Sequence, residues 1–132
     1  EVVAPRIGGV TLDDGAMIAA RHKIDGGASV LFDAVAVLPS AEGAERLSTD
    51  APSRDFVSDA FAHCKFIGFG KGASALFAAA RLPEELDAGF VPLDDKGHVG
   101  GFVEQLSQLR FWAREMKVDL DAKSAAKPRK GK

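Results

Sequence analysis

Ala34-Val35-Ala36-Val37-Leu38 is an unbroken apolar run stopped by Pro39. A strand with apolar residues on both faces belongs in a parallel sheet covered by helices on each side. A second run of this kind, Phe66-Ile67-Gly68-Phe69, follows Lys65. Between the two, Asp50 or Ser53 can cap a helix that runs to about Cys64. Phe56, Val57, Ala60, Phe61 and Cys64 recur there at helical spacing and form one apolar stripe. After the second run, Gly70-Lys71-Gly72 turns into a short helix from Ala73 to Ala80, which Pro83 keeps from extending far. Phe90-Val91 reads as a last short strand. A final helix starts near His98 or Gly101 and carries Phe102, Val103, Leu106, Leu109, Ala113 and Met116 on one side. Buried strands alternating with helices predict an open α/β sheet with helices on both faces.

Upstream, Val2 to Ala4 reads as a short strand ended by Pro5. Gly9-Val10-Thr11-Leu12 and Ala16-Met17-Ile18-Ala19 flank Asp13-Asp14-Gly15, and an Asp-Gly turn between apolar runs signals a hairpin. Gly26 and Gly27 punctuate the loop that leads to Ala34.

With 132 residues, the chain has the size of one domain. Its 46 % hydrophobic and 27 % charged residues match an ordinary globular mixture and exclude global disorder. No apolar run approaches the roughly 20 residues of a membrane span. From Ala122 onward the chain holds five basic residues and no acid, which leaves 12 of the 17 basic residues against all 19 acidic ones. An acidic body argues against a nucleic-acid-binding domain. The basic stretch from 118 to 132 reads as a disordered, solvated arm, beyond a folded domain of residues 1–117. Glu1 opens directly on an apolar run, with no signal-peptide pattern. The expectation is a cytoplasmic protein whose sequence here begins inside a longer polypeptide.

Little of the sequence offers chemistry. The single Cys64 excludes a disulfide scaffold and a thiolate zinc site, and His22, His63 and His98 fall in no metal-ligand spacing. Adjacent helix residues do not face each other, so His63 cannot activate Cys64, which lies on the apolar stripe as a small hydrophobe. Asp13-Asp14 and Asp94-Asp95 sit in turn sequences, and turn formation accounts for them. Gly68-Phe69-Gly70-Lys71-Gly72 lies where a strand meets a helix, the place of phosphate-cradling loops. It fits neither fingerprint in full: Ala73 takes the third glycine position of a dinucleotide loop, and Gly72 stands where a P-loop needs Ser or Thr.

Three further segments read together carry a resemblance. They are Ala28 to Pro39, Asp55 to Gly68, and Phe102-Val-Glu-Gln-Leu-Ser-Gln-Leu-Arg-Phe-Trp-Ala-Arg114, with Gly8-Gly-Val-Thr-Leu-Asp-Asp-Gly15 opening the series. Over most of residues 1–117 the chain resembles the C-terminal domain of large-subunit catalases. The resemblance implies a flavodoxin-like fold related to class I glutamine amidotransferases, placed after a heme-binding catalase core in a homotetrameric subunit. It also implies that Val2 to Ala4 is the second strand and Ala34 to Leu38 the third. The first strand and its helix would then lie before Glu1.

Active relatives of that superfamily carry a nucleophilic Cys on the strand-to-helix elbow, and the matching position here is Gly70. A residue without a side chain cannot supply a thiolate. The resemblance thus implies an accessory domain with no catalytic residue, no cofactor of its own, and the rest of a heme catalase subunit as partner. Its expected role is stability, assembly or chaperone-like protection. The alternatives are a thiol hydrolase or deglycase of the same superfold and a nucleotide-binding module at Gly68 to Gly72.

Overall fold

The computed structural model describes residues 1–119. Among the described residues, four short strands come first, and from β5 on strands and helices follow: β1 (Val3–Ala4), β2 (Val10–Thr11), β3 (Met17–Ile18), β4 (His22–Lys23), β5 (Val35–Val37), α1 (Ala41–Leu47), α2 (Ala51–Ala62), β6 (Ile67–Phe69), α3 (Ser74–Ala79), β7 (Phe90–Pro92), α4 (Lys96–Gln105) and α5 (Glu115–Val118). The main sheet is β5-β6-β7, parallel throughout, with Val35 opposite Ile67 and Ile67 opposite Phe90. This is an open α/β sheet of the flavodoxin-like type. Pro92 ends β7, which pairs with β6 alone, so its missing donor breaks no ladder bond.

Strand alternation places the helices. Ile67 lies in a buried cluster with Val35, Val37, Val57, Ala60, Leu76 and Phe77, so α2 and α3 cover that face. Gly68 points the other way, where a Cβ would meet Leu93 and, at 3.2 Å, the Phe102 ring of α4. Glycine in mid-strand lets α4 seat its one buried residue, Phe102, against the sheet. Rings of Phe69, Phe77 and Phe90 meet at centroid distances of 5.6 to 6.3 Å in tilted and edge contacts.

The hairpin forms as expected: β2 and β3 are antiparallel, the Leu12 N–H donates to Ala16 O at 2.8 Å, and Gly15 takes φ +85°, which suits glycine. Asp50 caps α2 by accepting from the Ser53 N–H. Helix α1 escapes the apolar pattern because only Ala44 of its seven residues is buried. Its signals are local: Ser40 caps it through the Gly43 N–H, and Glu42 pairs with Arg46 one turn on. Strand β4 is two residues long and exists through its parallel pairing with β1.

Two expectations need correction. Strand β5 is not buried on both faces: Val35 and Val37 are buried, while Ala36 is exposed and Leu38 is 62 % exposed. The final helix does not carry one apolar side from Phe102 to Met116. Helix α4 ends at Gln105, a 3-10 turn follows at Leu106–Gln108, and Leu109 adopts φ +65°. Phe102 is buried, but Val103, Leu109, Ala113 and Met116 are exposed. The break has a tertiary cause. The Phe111 N–H donates to Cys64 O at 2.6 Å, and Arg114 enters the core, which a continuous helix would not allow. The basic arm expected over 118–132 lies, from residue 120 on, outside the described residues.

Candidate functional site

In open parallel sheets, ligand sites form beyond the carboxyl ends of the strands. Here that region is the elbow after β6, where Gly70, a 3-10 turn at Lys71–Ala73 and α3 follow in sequence. A shallow depression of about 390 Å³ opens between Gly70 to Gly72, the Leu38 to Ala41 segment and Asp94. The Gly70 N–H donates to Val37 O, the Lys71 N–H to Asp94 Oδ1 at 3.1 Å, and the Ala73 N–H to Gly70 O. A Cβ on Gly72 would lie 2.5 Å from Pro39 O, so glycine there allows the entrance of α1 to approach the elbow.

This geometry bears on the chemical readings. A phosphate loop offers free backbone N–H groups to an anion. At this elbow the Lys71 N–H already donates to a carboxylate, Asp94, whose charge opposes a second anion. At Gly70 a Cβ would meet Leu38 Cδ2 at 3.5 Å and Asp94 Oδ1 at 3.6 Å, ordinary contacts. A Cβ would therefore fit, and the sequence supplies none. Asp94 and Asp95 take structural roles: the first ties the elbow, and the second caps α4 through the Gly97 N–H. Asp14 likewise accepts from the Ala16 N–H in its turn, beside an exposed Asp13.

Cys64 is buried at φ +57°, between α2 and β6, and its backbone carbonyl holds Phe111. Burial pushes its thiol pKa up, so the thiolate is disfavoured. His63 is exposed at the end of α2. His22 Nε2 donates to Glu1 Oε2, 3.0 Å away, and His98 is exposed in α4. Among the described residues no group of three His, Cys, Asp or Glu side chains converges as a metal site. Heme iron takes His, Cys, Met or Tyr as axial ligand. None of these types lines the elbow or the second cavity, an apolar groove between β1 and β5, so these residues do not fit heme.

Sequence reasoning overlooked the buried charges. Arg114 is fully buried and holds Asp87 with a two-pronged pair, Nε to Oδ2 at 2.8 Å and Nη2 to Oδ1 at 2.9 Å. Its guanidinium lies 4.8 Å from the Phe61 ring centroid, 5.1 Å from Phe90 and 5.4 Å from Phe111, while Nη1 donates to Lys65 O. Lys65 is 1 % exposed and donates to the carbonyl oxygens of Ser29 and Phe32. Both are tethers that join distant segments. The one available signal was the arginine within Phe111-Trp112-Ala113-Arg114, a charge among aromatics.

Comparison with known proteins shows the family. Residues 13–116 match the family described as the C-terminal domain found in long catalases. The chain is similar to Catalase C of Rhizobium meliloti (strain 1021), 48 % identical over 120 residues that make up 91 % of this chain and 17 % of that protein. It is 32 % identical to Catalase-B of Dictyostelium discoideum, over 89 % of this chain and 17 % of the relative. Catalase HPII of Pseudomonas aeruginosa is 31 % identical over 87 % of this chain and 16 % of the relative. The chain thus spans less than a fifth of these relatives' length. The match over residues 13–116 and the 48 % identity over most of the chain show that it belongs to the family of C-terminal domains found in long catalases.

Proposed function

We propose that this chain is a non-catalytic accessory domain of a cytoplasmic, homotetrameric heme catalase that converts hydrogen peroxide to water and oxygen. The heme and the peroxide chemistry belong to the rest of the subunit. This domain contributes packing, assembly and resistance to unfolding, with chaperone-like protection as a related role. The observation that carries the reading is Gly70: the elbow has space for a Cβ but carries no side chain, beside a carboxylate that would disfavour a thiolate.

The test is spectroscopic. The full-length polypeptide containing these residues is expected to show a heme Soret band and to evolve oxygen from peroxide. Residues 1–132 alone are expected to show neither. Oxygen evolution by the 132-residue chain, accompanied by stoichiometric heme uptake, would overturn the assignment.

A further inference from the structure

The side chains that oxidants attack are sorted by depth. The chain has no Tyr, and all nine Phe are buried or partly buried, so the core is packed with rings that carry no oxidisable hydroxyl. The sulfur atoms lie at two extremes. Cys64 is 5 % exposed, and burial raises its thiol pKa, so the thiolate that peroxides oxidise is withheld both by access and by protonation. The two methionines are open: Met17 is 64 % exposed and Met116 80 %. A thioether is a neutral nucleophile that needs no deprotonation and is oxidised to the sulfoxide. Neither methionine belongs to the buried cluster; both residues of β3 are exposed, and no residue of α5 is buried.

We propose that Met17 and Met116 are oxidation sites, converted to sulfoxides by hydrogen peroxide while the core stays folded and Cys64 stays reduced. The oxidant rests on the proposed function, since a catalase works in the presence of its substrate. In each step a sulfur lone pair attacks one peroxide oxygen, and the S–O bond forms as the O–O bond breaks. The departing hydroxide takes the proton of the transferred hydroxyl. Sulfur gives up two electrons, and the products are a sulfoxide and water. At Met17 the Thr11 hydroxyl donates to Sδ at 2.9 Å across the hairpin. A sulfoxide oxygen accepts a hydrogen bond better than a thioether does, so the product keeps that partner. At Met116 the added oxygen enters solvent. A polar sulfoxide disrupts a protein where the thioether fills a core, and neither site does. The surface thus consumes oxidant at no cost in packing.

The experiment exposes the full-length polypeptide to hydrogen peroxide, with cyanide present to block the heme, and maps oxidation by peptide mass spectrometry. The peptides that carry Met17 and Met116 are expected each to gain one oxygen, at rates within about tenfold of a free methionine peptide. Cys64 is expected to remain a thiol that alkylates only after denaturation. Hydrogen exchange in β5, α2 and β6 of the oxidised protein is expected to stay within about twofold of the untreated protein. The double variant Met17→Leu, Met116→Leu is expected to gain no oxygen within residues 1–132 at the same exposure. Slower reaction at either methionine than that tenfold limit would overturn the inference, as would oxidation of Cys64 ahead of them or faster exchange in the oxidised core. Without cyanide, a catalase removes the peroxide and spares both methionines. Equal oxidation with and without cyanide would refute the catalase reading and leave the two sites standing.

Discussion

Arg114→Met is expected to cost about 3–5 kcal/mol of folding stability at neutral pH, the loss typical of breaking a buried ion pair from one side. The side chain of Arg114 is 0 % exposed and that of Asp87 9 %, so little water can replace the lost bonds. Met keeps part of the packing against Phe61, Phe90 and Phe111 but leaves the buried Asp87 carboxylate with only the Gly89 N–H, and the carbonyl of Lys65 without its Arg114 donor. The pH dependence identifies the cause. Burial works to raise the Asp87 carboxyl pKa, but hydrogen bonds and charge from Arg114 outweigh it, and the group titrates below the ordinary aspartate value. A carboxyl held low when folded contributes its stability above the unfolded pKa of about 3.9, and loses it as pH falls through the folded value. Without Arg114, only the Gly89 N–H and the Lys117 charge still oppose burial, so the Asp87 pKa rises relative to wild type. The gap between wild type and variant is therefore widest near pH 7 and narrows in acid, as measured by urea midpoints at a series of pH values. A loss under about 1 kcal/mol, the range of exposed pairs, would show that the pair does not hold the C-terminal segment.

Lys65→Met is expected to cost less, about 1–3 kcal/mol, because two effects oppose each other. The substitution removes a buried ammonium whose pKa is pushed down by burial and by the Arg110 charge, and that relief is favourable. It also strips donors from the carbonyls of Ser29 and Phe32, and an unpaired buried acceptor costs about 1–3 kcal/mol. The second effect wins because Phe32 O loses its Lys65 donor and Ser29 O keeps only the Phe32 N–H, while the Met stem preserves packing. Proteolysis should then attack the loop of residues 28–33 first. A variant as stable as wild type, with that loop still protected, would contradict the tether.

What the sequence revealed and what it concealed follow one division. The hairpin, β5, β6, β7 and α2 were legible because each advertises itself locally, through Asp13-Asp14-Gly15, through apolar runs, or through a stripe with an Asp50 cap. Strand β4 was not, since His22 and Lys23 have no strand character apart from β1. The end of α4 was hidden for the same reason. Leu106 and Leu109 continue an apolar spacing, and only the distant partners Cys64 and Asp87 draw Phe111 and Arg114 out of helical register. The one-sided burial of β5 is likewise a property of its neighbours, not of Ala34 to Leu38. At the elbow, the glycines were visible, but the meaning of Gly70 came from the resemblance, because a missing side chain gains significance only against a family that has one.

On the proposed function, this domain supports a catalase without taking part in its chemistry. Deleting residues 1–132 from the full-length polypeptide and measuring initial oxygen evolution per bound heme, before and after heating, tests it most directly. The expected result is an initial rate per heme within about twofold of the intact protein, together with faster thermal inactivation, as for the loss of a packed domain that contacts no reacting atom. A drop of about a hundredfold in the initial rate, with heme content and tetramer mass unchanged, would place residues of this domain in the reaction and contradict the account.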